Sequence, residues 1–259
     1  TPVSCGKCIG CRFDRSKAWA FRIMNEAQLT ENQENAFITL TYDDEHLPEG
    51  KTLVVKHWQD FAKRLRSKCG PFRFYHVGEY GEENERPHYH AALFGLNFSG
   101  DRQAAGFGGN GDQIYDSETL RDTWGKGRVR IGDLTIESAA YCARYMLKKQ
   151  YGQKAEEHYH GRKPEYTTMS NRPGIGAAWW AKYKSDLYNQ DKALHFGKQY
   201  KMPRYYDELL RRTNPELLEE LKKTRVETSR KHAHNNTEDR LKVREQLHAA
   251  KMRFLHRDL

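Results

Sequence analysis

Residues 72–94 read FRFYHVGEYGEENERPHYHAALF. Two runs rich in aromatic residues, 72–80 and 88–94, flank a polar loop, GEENERP, at 81–87. Two strands joined by a short loop most simply pair as an antiparallel hairpin. His88-Tyr89-His90 opens the second run. Residues i and i+2 of a strand face one side, so both imidazoles can reach a single cation while Tyr89 turns to the opposite face and packs. Two histidines suit a transition metal or a borderline divalent ion and leave positions open for a phosphate oxygen. A third ligand is expected from the facing strand. Glu79, close to the turn, is the best candidate, and His76 is the alternative in opposite strand phase. His158-Tyr159-His160 repeats the triplet, but it sits between charged residues with no apolar alternation after it and reads as a polar loop.

Outward from the hairpin, residues 36–42 (AFITLTY) read as a strand. Residues 14–29 have helical period through Ala20, Ile23, Met24 and Ala27, and 57–68 through Trp58, Phe61 and Leu65, with Gly70-Pro71 as a stop. Residues 97–113 are rich in Gly, Asn and Asp and read as a mobile loop. Their GFGGNG lacks the Lys-Ser/Thr of a phosphate-binding loop and is given no nucleotide role. A short helix over 116–124 and a strand over 128–134 follow. Residues 151–178 read as irregular. From Tyr205 the composition turns charged, with Leu209, Leu210, Leu217, Leu218 and Leu221 scattered through it, so the chain divides into a domain over 1–204 and a charged helical extension over 205–259. Strands in hairpins mixed with non-alternating helices predict an α+β domain on an antiparallel sheet, not a doubly wound parallel one.

A second motif lies on the helix that Thr135 is placed to cap, running to about Lys149. In YCARYMLKK (141–149), Tyr141, Tyr145 and Lys148 fall within a narrow wedge at about 100° per residue. Ala139, Ala140, Cys142, Ala143, Met146 and Leu147 occupy the other side, so the packing face is supplied without the tyrosines. A phenol with pKa near 10 is a poor nucleophile at neutral pH. A metal and the Lys148 ammonium beside it would stabilise a phenolate or the charge developing on a phosphate.

Bulk properties set the partner class. The net charge is +9 over 259 residues and the pI about 9.2, which suits a polyanion. No apolar run approaches the roughly 20 residues needed to span a bilayer. The five cysteines, Cys5, Cys8, Cys11, Cys69 and Cys142, are an odd count without a recognisable secretory signal. That favours a reducing compartment over a disulfide framework. Cys5, Cys8 and Cys11 form a CxxCxxC array that offers three thiolates to zinc, with no fourth ligand to name. Three cysteines also suit an iron–sulfur cluster, but the usual fourth cysteine is missing.

Three motifs in order, FITLTY (37–42), RPHYHAALFG (86–95) and YCARYMLKK (141–149), resemble those of the HUH endonucleases, named for His-hydrophobic-His. CGKCIGCR (5–12), GEYGEENERPHYH (78–90) and EYTTMSNRPGIG (165–176) narrow the resemblance to rolling-circle replication initiators of small single-stranded DNA bacteriophages of the microvirus type, gokushoviruses especially. The similarity covers about residues 4–210. It implies a ferredoxin-like antiparallel sheet with the His-x-His strand at its centre. It implies Mg²⁺ or Mn²⁺ on His88, His90 and Glu79, and alternating nucleophiles at Tyr141 and Tyr145, with Lys148 completing a YxxK pattern. The product would be a 5′-phosphotyrosine link and a free 3′-hydroxyl. No helicase motif is visible, so unwinding and extension would fall to host enzymes in the bacterial cytoplasm, acting on phage origin DNA.

Single-stranded DNA binding calls for cations along the backbone and aromatics under unpaired bases. The candidates are Arg128, Arg130, Arg144, Lys149, Lys163 and Arg172, and Asn171–Gly176 offers backbone amides to phosphate unless it is merely a turn. The rival readings are an HUH transposase or plasmid initiator, a metal-dependent phosphodiesterase using water, and a non-catalytic, zinc-stabilised single-stranded DNA-binding protein.

Overall fold

In a computed structural model, residues 5–31, 34–81, 84–109, 111–148, 153–195 and 197–254 are described, with 145–148, 153, 154, 195, 198 and 252–254 by their backbone alone. Seven strands form one sheet: β1 (Asn35–Thr41), β2 (Arg73–Tyr80), β3 (Pro87–Phe94), β4 (Gln103–Phe107), β5 (Gln113–Asp116), β6 (Val129–Gly132) and β7 (Tyr166–Met169). Their order is β4-β5-β6-β1-β3-β2-β7, and every neighbouring pair is antiparallel. The predicted hairpin is β2–β3, and β3 is an interior strand between β2 and β1.

Alternation along these strands gives the sheet two buried faces. One carries Ile38, Leu40, Tyr89, Ala91, Leu93, Val129 and Ile131 and is covered by α2 (Val55–Cys69) and α3 (Glu118–Trp124). Helix α2 supplies Trp58, Phe61, Ala62 and Leu65, an i, i+3, i+4, i+7 stripe, all buried. Burying such a side chain fully contributes about 1.5–3 kcal/mol. The other face carries Phe37, Tyr75, Val77, Ala92 and Phe94 beneath α1 (Ile9–Ala27) and α4 (Ile136–Lys148). Ala20, Ile23, Met24 and Ala27 of α1 meet Ala139, Cys142 and Ala143 of α4; the small residues let the two helices approach closely over one end of the sheet. Thr135 opens α4, its hydroxyl accepting from the Ser138 amide at 3.3 Å.

Two segments differ from the sequence reading. Residues 97–113 contain the edge strand β4, paired to β5. Every β4 residue is exposed, so pairing and not burial makes the strand, and no apolar alternation announces it. Residues 151–178 hold α5 (Gln153–Tyr159) and the edge strand β7. Both are short and fixed by distant contacts: Tyr159 is buried on Glu165, and the Ser170 amide reaches the Phe74 carbonyl at 3.0 Å. His158-Tyr159-His160 therefore lies on a helix end and not in a loop.

After α6 (Ala177–Asn189) and a small hairpin, β8 (Ala193–His195) and β9 (Lys198–Tyr200), come α7 (Arg204–Thr213), α8 (Pro215–Lys231) and α9 (Glu238–Phe254). Tyr206, Leu210 and Leu218 are buried with Phe21 and Trp180, and the Asn25 side-chain amide donates to the Tyr206 hydroxyl at 2.8 Å. The expected boundary at residue 204 thus falls at the start of a helix docked on α1.

A candidate metal site beneath a tyrosine helix

Glu79 and His88 face each other directly across β2–β3. One Glu79 oxygen, Oε1, lies 2.7 Å from His88 Nε2 and 2.9 Å from His90 Nε2. Glu79 and His90 are buried, and His88 is partly exposed. The outer nitrogens are held as well. His88 Nδ1 is 3.0 Å from the Arg86 carbonyl, and His90 Nδ1 is 3.0 Å from the Thr39 hydroxyl on β1. A carbonyl only accepts, so His88 Nδ1 donates to Arg86. Such outward bonds to oxygen are the usual support of metal-ligating histidines. Burial alone would raise the Glu79 carboxyl pKa; hydrogen bonds from His88 and His90 outweigh it and hold the group below the ordinary carboxylate range.

This donor set, two imidazole nitrogens and one carboxylate oxygen all within 4.8 Å of one another, fits a divalent cation with coordination positions to spare. His76, the alternative third ligand, is on the other face. It stacks on Trp58 with ring centroids 3.8 Å apart, and its Nδ1 is 2.8 Å from the Thr168 hydroxyl. Tyr89 is on that face too, fully buried, its hydroxyl bonded to Tyr42 at 2.8 Å and donating to the Val54 carbonyl at 2.9 Å.

Helix α4 lies over the triad. The Tyr141 ring is edge-to-face with His90, centroids 5.2 Å apart and planes at 89°, and also meets Phe37, which stacks on His90. Arg144 reaches over the Tyr141 ring at 5.6 Å. The side chains of Tyr145 and Lys148 lie outside the described residues, as does Lys149 altogether; the backbone of residues 145–148 continues the helix.

Sheet register sorts the basic candidates. Arg130 pairs with Thr39, which pairs with His90. The Arg128 carbonyl accepts from Thr41 at 2.9 Å, and Thr41 pairs with His88. By strand phase both arginines share the triad's face, and both are exposed. Lys163 is elsewhere: its backbone bonds Thr52 and Tyr80 beside the α2 face. Arg172 lies near Arg73, at the far end of β2 from Glu79, roughly 20 Å away at strand rise. Asn171–Gly176 is not an anion nest. The Gly176 amide donates to Glu26 at 2.6 Å, Ile175 accepts from Arg22 at 3.0 Å, and Gly176 has φ +79° with the Tyr206 hydroxyl 2.5 Å from where a Cβ would stand. These groups dock the segment on α1.

Sequence reasoning missed Thr39 and Phe37. Their signal was phase: both alternate with Ile38 and Leu40 in FITLTY, and a threonine inside an apolar strand marks a polar partner. A second donor group exists at the amino end of α1, where Cys5, Cys8 and Cys11 converge within 4.8 Å. Backbone N–H groups of Cys8 and Lys7 bring the Cys5 thiol down to about 7.

An antiparallel sheet with a His–Glu–His group on interior strands, under a tyrosine-bearing helix and beside exposed arginines, defines a candidate metal-binding α+β protein. Comparison with known proteins makes the class specific. Residues 35–150 match the family model described as replication-associated protein ORF2/G2P, a span holding β1, the triad and α4. The chain is 35% identical over 227 residues to the replication-associated protein VP4 of Bdellovibrio phage phiMH2K, covering 82% of this chain and 68% of the relative. It is 34% identical to the replication-associated protein ORF2 of Spiroplasma virus 4, with 81% and 68% covered. It is 30% identical to the replication-associated protein ORF4 of Chlamydia phage 1, with 82% and 54% covered. The chain belongs to this family of phage replication-associated proteins. No solved structure matches it.

Proposed function

We propose that this protein initiates rolling-circle replication by nicking single-stranded phage origin DNA in an HUH-type, tyrosine-dependent reaction. The observation that carries the reading is Tyr141 packed edge-on against His90, so that a helix bearing phenols roofs the candidate metal ligands. Glu79, His88 and His90 would hold a divalent ion, Mg²⁺ or Mn²⁺. When bound, such an ion supplies Lewis-acid stabilisation to a phosphate oxygen.

The residues of the chain then divide the work. Arg128 and Arg130 attract the sugar–phosphate backbone onto the triad's face. The hydroxyl of Tyr141, or of Tyr145 one turn on, attacks phosphorus. A phenolic O–P bond forms, the phenolic proton departs, and the bond to the 3′-oxygen breaks. The 3′-oxygen takes a proton and is left as a hydroxyl that a polymerase can extend. Lys148 shares the wedge with both tyrosines and would stabilise the charge developing on phosphate. The phosphotyrosine keeps the energy of the cleaved bond for rejoining, and a second tyrosine permits a second cut while the first is occupied. Helicase and polymerase would come from the host.

The test is a labelled single-stranded origin oligonucleotide incubated with the protein and Mn²⁺, then denatured. A covalent adduct that survives denaturation is the expected result. Each single change, Tyr141→Phe and Tyr145→Phe, should weaken strand transfer, and the double change should abolish the adduct. Cleavage without an adduct would point to attack by water; DNA binding without cleavage would point to a non-catalytic binder.

A further inference from the structure

Cys5 Sγ and Cys11 Sγ are 3.9 Å apart, and the sulfurs of Cys5, Cys8 and Cys11 all lie within 4.8 Å of one another. A tetrahedral ion bonded to sulfur at about 2.3 Å sets sulfur–sulfur edges of about 3.8 Å. An iron–sulfur cluster spaces its thiolates more widely, because each sits on a different iron, and it draws on a fourth cysteine. Cys142, buried on the inner face of α4, and Cys69, at the end of α2, are outside this group.

The backbone around the thiols is arranged to support them. Gly6, with φ +73°, turns the chain so that the Cys8 amide donates to Cys5 Sγ at 3.2 Å. Amides aimed at a ligand sulfur are the outer support that metal sites use. Cys8 is also the N-cap of α1, with no side-chain cap bond and no acidic residue in the first turn. An ion bound by three thiolates carries net negative charge, and the amino end of a helix favours such charge.

We propose that Cys5, Cys8 and Cys11 hold one zinc ion as three thiolates, with its fourth position open to solvent, and that the ion caps α1. The stretch of α1 that packs on the sheet begins near Ala20, eleven residues and roughly 16 Å beyond Ile9. The zinc fixes the amino end of α1, which packs against α9 through Phe13 and His248, and takes no part at the Glu79–His88–His90 triad. The inference does not depend on the nuclease reading.

The experiment is metal analysis of the full chain produced with both zinc and iron available, alongside cobalt(II) substitution and counting of alkylatable thiols. One zinc per chain is expected, retained in a His88→Ala/His90→Ala double variant and lost in each of Cys5→Ser, Cys8→Ser and Cys11→Ser. Cobalt should give a thiolate charge-transfer band with the intense visible bands of four-coordination. Iodoacetamide should modify three more thiols after chelation than before. If a cysteine variant fails to fold, the stripped wild type is reloaded, and the return of zinc with three protected thiols supports the site. Zinc absent, or present with those thiols unprotected, overturns it. So do iron with labile sulfide, and a Cys5–Cys11 disulfide seen as a loss of two hydrogens.

Discussion

The rings of Tyr141 and His90 stand at right angles with centroids 5.2 Å apart, which joins a helix and a strand separated by about fifty residues of sequence. Phe37 completes the arrangement, stacked on His90 at 5.5 Å and edge-on to Tyr141. If Tyr141 is a nucleophile, Tyr141→Phe keeps these ring contacts and removes only the hydroxyl. Thermal stability and Mn²⁺ affinity should then stay near wild type while adduct formation falls, by a factor of ten or more if the second tyrosine cannot substitute fully. An equal loss of stability and activity would mark Tyr141 as a packing residue.

Thr39 should tune the ion without touching it. Its hydroxyl is the partner of His90 Nδ1, and losing such a partner typically costs about 10–100-fold in metal affinity. Thr39→Val should weaken Mn²⁺ binding by that order in calorimetric titration, with the fold retained, and Thr39→Ser should restore it. Unchanged affinity in the valine variant would mean that the ring is positioned by Phe37 alone.

Register makes the arginines unequal. Arg128→Ala and Arg130→Ala should each weaken binding of single-stranded DNA and lower the slope of log affinity against log salt by about 0.7. Arg172→Ala, at the other end of β2, should leave the slope alone. Fluorescence anisotropy over a salt series reads all three, and a large effect at Arg172 alone would move the DNA path off this face.

Tyr89 separates the two faces of the sheet. Tyr89→Phe removes bonds to Tyr42 and to the Val54 backbone; Tyr42 keeps His57 and the Val54 carbonyl keeps the His57 amide, so the Val54 amide loses its partner at a cost of about 1–3 kcal/mol. Denaturant melts should show this loss while metal binding persists, although Tyr89 stands between the two ligating histidines. His158→Ala, in the repeated triplet, should leave cleavage untouched.

His76 gives a dependence on pH. Burial holds its pKa well below the ordinary histidine value, with a smaller contribution from His90. Its ring is enclosed by Trp58, Tyr89 and Tyr166. Below about pH 6.5 the unfolded chain takes up a proton here that the folded chain refuses, so stability falls as pH drops, by up to about 1.4 kcal/mol per unit. His76→Phe keeps a ring against Trp58 and should flatten the decline relative to wild type in melts between pH 6.5 and 5. Identical slopes would show that the ring can ionise in place.

The sequence by itself determined the hairpin, the shared face of His88 and His90, and the choice of Glu79 over His76, whereas Tyr141, expected off the packing face of α4, packs against the core. Those three are local consequences of period two in a strand, which any chain with this pattern must obey. Tertiary structure alone decided what pairs at long range. It put Thr39 behind His90, laid Tyr141 over the triad, and aligned Arg128 and Arg130 with the ligands while sending Lys163 and Arg172 elsewhere. It also turned Asn171–Gly176 into a docking segment and made strands of β4 and β7, whose residues carry little alternation. Such contacts depend on strand order and helix docking, set by burial summed over the whole core, and no spacing between neighbours in the chain encodes them.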